Sequence, residues 1–164
     1  MDSLCRLATE MNITIIYVPL NYTNKDLFGL HSPASNTIFL DANLLRPENY
    51  KLHRGILAEE IGHRVTGTTC NSLNIHTNFS MARKITEAHK STEDEKRALR
   101  WATEKLIPAQ ELIPLLYEGY SCEDLSDYFG VTAWFIFRAL EFLQLECSEK
   151  EVHPIIKLAK ISCI

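Results

Sequence analysis

The sequence predicts an α+β fold, mostly helical. Two short segments rich in β-branched residues stand near the N-terminus, and every element predicted from Pro47 onward is a helix. With 164 residues the chain is about one domain, long enough to bury a sizeable core. No apolar run approaches the ~20 residues needed to span a bilayer.

Residues 4–11 suit a short opening helix. Ile13-Thr14-Ile15-Ile16-Tyr17-Val18 reads as a strand stopped by Pro19. A polar stretch with Gly29 and Pro33 follows, and Thr37-Ile38-Phe39-Leu40 reads as a second strand closed by Asp41. Together they predict a small antiparallel sheet, with an edge that could take an extended peptide. Pro47 and Glu48 suit the first turn of a helix running to about Val65, with Gly67 as its C-cap. Residues 66–91 are polar and irregular, with a short helix expected near 81–88, and are placed to cover a site as a lid. Thr92-Glu93-Asp94-Glu95 opens a helix ending near Ile107-Pro108, and helical segments follow near 109–118, 121–129 and 133–146. The division expected is a core over 1–110, an acidic helical subdomain over 111–146 packed on it, and a tail over 147–164.

A net charge of −4 speaks against a dedicated nucleic-acid binder. Residues 111–150 hold two basic side chains (Arg138, Lys150) against eight acidic ones. Five cysteines (Cys5, Cys70, Cys122, Cys147, Cys163) are scattered with no C-x-x-C pair, so they read as reduced thiols and the protein as cytoplasmic. The first residues lack a basic segment followed by an apolar stretch, so no signal peptide is expected.

Glu59-Glu60-Ile61-Gly62-His63 carries the chemistry. In H-E-x-x-H, two zinc ligands four residues apart share a helix face, and the Glu beside the first activates water. Here Glu59 stands at the first ligand position, Glu60 at the general base and His63 at the second ligand. At 100° per residue, Glu59 and His63 fall within about 40° of each other on a stripe shared with Leu52 and Ile56. Leu57, Ile61 and Val65 line the opposite face, so the helix reads as buried. Gly55 and Gly62 share a third face, where another backbone can approach. A carboxylate and an imidazole on an apolar stripe need a partner. That partner is a metal, or each other through an i,i+4 hydrogen bond, unless both side chains reach solvent.

A protease site of this kind takes three protein ligands. Glu95 is the candidate for the third, because it lies on the apolar face of its helix with Leu99, Ala102 and Leu106. The alternative is local: Thr92-x-x-Glu95 is a capping box. His53, His76 and His89 are rival ligands, each also readable as a surface histidine, and His76 as a substrate-binding group.

Ile56-Leu57-Ala58-Glu59-Glu60-Ile61-Gly62-His63, with Glu95-Lys96-Arg97-Ala98-Leu99-Arg100-Trp101-Ala102 and Lys105-Leu106-Ile107-Pro108, resembles the ImmA/IrrE-type metallopeptidases of phages and mobile elements. The resemblance takes in the strands, Gly29 and the stretch from Asp124-Leu125 to Leu143. It implies a zincin-like motif helix beside the sheet, with zinc (manganese possible) held by Glu59, His63 and Glu95. It implies Glu60 as general base toward a metal-activated water, and a helix-turn-helix repressor protein as substrate. Glu59 departs from the usual first His. Two carboxylates and one neutral imidazole make a zinc site formally neutral, so water there is acidified less and turnover at neutral pH is expected to be slower.

Residues 123–132 also resemble the first helix and turn of a helix-turn-helix. Its recognition helix would be Ala133-Trp134-Phe135-Ile136-Phe137-Arg138, with one cation and four large apolar residues. That composition suits core or a protein-binding face better than phosphate contact. The functions expected are therefore metal-dependent cleavage of a repressor or, alternatively, a non-catalytic antirepressor module on a degenerate peptidase fold. Neither includes direct nucleic-acid or membrane binding, and the sequence sets no oligomeric state.

Overall fold

The computed structural model describes residues 2–20, 27–68, 93–146, 155–157, 159 and 163. Its helices are α1 (Asp2–Glu10), α2 (Tyr50–Thr66), α3 (Glu93–Leu106), α4 (Ala109–Tyr117), α5 (Cys122–Phe129) and α6 (Ala133–Glu146). Its strands are β1 (Thr14–Val18), β2 (Gly29–Ser32) and β3 (Thr37–Asp41). The fold is α+β and mostly helical, as expected.

The sheet has the order β1-β3-β2. It is mixed, which corrects the antiparallel expectation: β2 runs antiparallel to β3, but β1 runs parallel to it. The chain leaves β1, returns at the far edge as β2, and turns back through Pro33–Asn36 into the centre as β3. Only one strand was expected after Pro19, because Gly29-Leu30-His31-Ser32 has little β-propensity of its own. It is a strand because β3 pairs with it (Gly29 opposite Leu40, His31 opposite Ile38) and because it rests on α2.

Helix α2 is the centre of the molecule. A 3-10 turn at Pro47–Asn49 leads into it, and Gly67, at φ 66°, closes it in the left-handed conformation expected of a C-cap. Every residue from 55 to 63 is buried. Val65 is the exception on the predicted apolar faces, being exposed near the helix end. Gly55 and Gly62 do allow close approach. A Cβ at 55 would stand 3.2 Å from the Phe135 ring, and one at 62 would stand 2.5 Å from the Ala98 carbonyl oxygen. Gly62 therefore sets the spacing of α2 and α3. Gly62→Ala is expected to cost about 1–3 kcal/mol by overpacking, because the obstructing atom is backbone and cannot rotate away. Denaturant unfolding measures it; an unchanged midpoint would mean that the helices separate freely.

Helices α5 and α6 are anchored on α2. Ser121 and Asp124 form a reciprocal capping box at the start of α5, and Gly130 closes it with φ 62°. Lys51 Nζ donates to Ser126 Oγ at 2.9 Å, and Arg54 donates to the Phe129 carbonyl. Helix α6 buries Phe135, Ile136, Ala139, Leu140 and Leu143, so its aromatic composition serves the core. Its cation, Arg138, pairs with Glu141 and stacks over Trp134 and Phe142 at 5.9 and 5.4 Å from the ring centroids.

Cys122 and Cys163 are joined as a disulfide, which corrects the reading of all five cysteines as reduced thiols. Ile156 and Ala159 are buried beside the core, and this packing brings the tail back to α5. Spacing along the chain could not reveal a pair separated by 41 residues. No helix among the described residues is long and apolar enough to cross a membrane.

Candidate metal centre

Helix α2 buries Glu59, Glu60 and His63 together, each 2% exposed or less. Glu95 arrives from the first turn of α3 and is equally buried. Its Oε2 lies 3.1 Å from His63 Nε2. Thus the third candidate ligand does meet the second across the α2–α3 contact that Gly62 permits. The rival cap on Thr92 falls outside the described residues, as do His76, His89, the helix expected near 81–88 and most of the expected lid.

Glu59 belongs to the same electrostatic cluster. Burial pushes its carboxyl up from 4.5 to about 7; His63 pulls it down, Glu95 adds to the rise, and Arg138 from α6 pulls it down. The Arg138 influence follows from helix register. Phe135 rests on Gly55, and one turn further along each helix stand Arg138 and Glu59.

Strand β2 forms the other wall. Gly29 lies directly over the base position: a Cβ there would stand 2.7 Å from Glu60 Oε1 and 2.9 Å from Ile56 Cγ2. The missing side chain lets an edge strand rest on a buried carboxylate. His31, two residues on, shares the buried face of β2. It is 4% exposed, and neither ring nitrogen has a hydrogen bond among the described residues. Burial lowers its pKa, and the neighbouring His63 and Arg64 lower it further. Sequence reading passed over His31 because β2 was not recognised; strand alternation would have placed it beside Gly29.

Two other residues change their reading. His53 is buried, not a surface histidine: its Nε2 pairs with the Tyr17 hydroxyl at 3.0 Å, and burial lowers its pKa. That bond ties α2 to β1 and takes His53 away from the candidate ligands. Thr68, unremarked in the sequence, packs against the His63 ring, its Oγ1 3.0 Å from Nδ1.

The donor chemistry fits a divalent ion: one imidazole and two carboxylates, all buried. Two donors on one tetrahedral zinc at ~2.05 Å stand about 3.3 Å apart, close to the His63–Glu95 separation. Yet among the described residues no three such side chains are spaced to hold an ion between them.

A motif helix with a Glu-Glu-x-x-His sequence, an edge strand along it and a carboxylate from a following helix form the layout of a zincin-like metallopeptidase domain. Residues 8–141 match the family model Peptidase_M78, described as the IrrE N-terminal-like domain. The match covers most of the chain, and the chain belongs to this family. No curated protein and no solved structure matches it.

Proposed function

We propose that this protein is a metal-dependent endopeptidase acting on a helix-turn-helix repressor protein of a phage or mobile element, in the cytoplasm. The observation that carries the reading is the buried pairing of His63 with Glu95 beside Glu60. Glu59, His63 and Glu95 would hold zinc or manganese. Such an ion supplies Lewis-acid polarisation and makes water a better nucleophile at neutral pH.

The remaining work falls to the chain. Glu60 takes a proton from water as it attacks the scissile carbonyl and passes that proton to the leaving amine. Its carboxylate is shielded on one side by β2 at Gly29, which keeps bulk water from that face. The edge of β2 that pairs with no strand among the described residues can pair with an extended segment of substrate through backbone hydrogen bonds. Recognition is through protein surfaces. The helix-turn-helix-like α5–α6 pair has its second helix committed to the core and its one cation to Glu141 and two aromatic rings.

A second reading is supported by Glu59 at the first ligand position. In it the chain is a binding module that displaces the repressor without cleaving it. Metal content by mass spectrometry tests the first reading, on wild type and His63→Ala purified without chelator or a histidine tag. Near-stoichiometric zinc or manganese, lost in the variant, is expected. No metal in either protein, even after zinc is added, would overturn the peptidase reading in favour of the binding module.

A further inference from the structure

Helix α2 ends in three linked hydrogen bonds that lead to the His63 ring. Thr66 Oγ1 donates to the Gly62 carbonyl at 2.8 Å, one turn back along the helix. Thr66 and Thr68 hydroxyls lie 2.8 Å apart, and Thr68 Oγ1 lies 3.0 Å from His63 Nδ1 in a buried contact. Each hydroxyl has one proton. The Thr66 proton is used on Gly62, so between the two threonines Thr68 must donate. With its proton spent on Thr66, Thr68 can only accept from the ring. His63 Nδ1 therefore carries hydrogen, and Nε2 of the neutral ring presents a lone pair toward Glu95.

We infer that Thr66 and Thr68 are positioning residues that set the tautomer and orientation of His63 for metal binding through Nε2. The inference deepens the proposed metal-centre reading and rests on it for its affinity consequence, but not for the tautomer itself. The backbone supports the same role. Gly67 and Thr68 N–H groups both donate to the His63 carbonyl, and the left-handed Gly67 turns the chain so that Thr68 folds back on the ring it follows. The result also explains the third contact. A lone pair on Nε2 and an acceptor oxygen on Glu95 at 3.1 Å call for a proton or a metal ion between them.

The test combines nitrogen-15 NMR of the histidine ring with zinc affinity, on wild type, Thr68→Val, Thr68→Ser and Thr66→Val. In zinc-loaded wild type, and in metal-free protein at a pH where the ring is neutral, the His63 signal is expected to show hydrogen on Nδ1. Thr68→Val should lower zinc affinity by about 10–100-fold, the usual effect of removing a group that orients a metal ligand. Thr68→Ser should restore it. Thr66→Val frees the Thr68 proton to point at the ring and should shift hydrogen toward Nε2 in the metal-free form. Hydrogen on Nε2 in neutral wild type, or equal zinc affinity in Thr68→Val, would overturn the inference while leaving the metal centre intact. If wild type binds no zinc, the metal-centre reading and the affinity arm fall together; the metal-free ring spectrum still decides the tautomer.

Discussion

Glu60→Gln is expected to lower repressor cleavage by about 10²–10⁴-fold, the usual contribution of a positioned general base. The substitution keeps volume and shape. The side chain is fully buried beneath Gly29, so a smaller residue would open a cavity and confuse a chemical effect with a packing one. Gln also adds no bulk toward the strand, where a single Cβ at Gly29 would already collide with the carboxylate. Thermal unfolding should therefore change little, and binding of the repressor should persist. Cleavage followed by electrophoresis and repression followed by a reporter separate the two proposed functions. Loss of both cleavage and derepression supports the peptidase. Derepression that survives without cleavage would show that the fold acts by binding alone.

How much of this was legible in the sequence depends on where the information lies. Helix α2 was readable to within a residue or two at its C-terminus, because Gly67 marks a local conformational need and the apolar stripes are periodic. The burial of Glu59 and His63 followed from that periodicity. Glu95 was readable as facing inward, but its meeting with His63 depends on the approach that Gly62 allows to Ala98. Strand β2 was not legible: its existence comes from pairing and packing, and with it went His31 and the contact over Glu60. The parallel pairing of β1 with β3 was hidden for the same reason. Thr68 gave no signal, because a threonine after a C-cap glycine gains meaning only when the turn folds it onto the ring. The Cys122–Cys163 bond depends on the packing of the tail.

Replacing Glu59 should reveal the cost of placing a carboxylate at the first ligand position. Burial raises its pKa from an ordinary 4.5 to about 7 in the metal-free fold. The folded chain then holds a proton that the unfolded chain releases over that interval, so stability falls as pH rises. The contribution is fully present below about 4.5, declines through the interval and is gone above about 7. At 1.36 kcal/mol per pKa unit the loss is about 3 kcal/mol, a large fraction of a typical domain's stability. Glu59→Gln cannot ionise and should flatten the profile over this window, leaving the variant more stable than wild type near neutral pH in the presence of chelator. Zinc should act in the opposite sense. Its ligands must be deprotonated, so binding strengthens as pH rises. Added zinc should therefore stabilise wild type most where the metal-free fold is weakest, and should stabilise Glu59→Gln less. Denaturant melts across pH, with chelator and with zinc, measure both arms. A wild-type profile as flat as that of Glu59→Gln would mean that Arg138 and His63 offset the burial and leave Glu59 with its ordinary pKa. The acidic first ligand would then be neutralised within the fold, and binding an ion would gain nothing from relieving it.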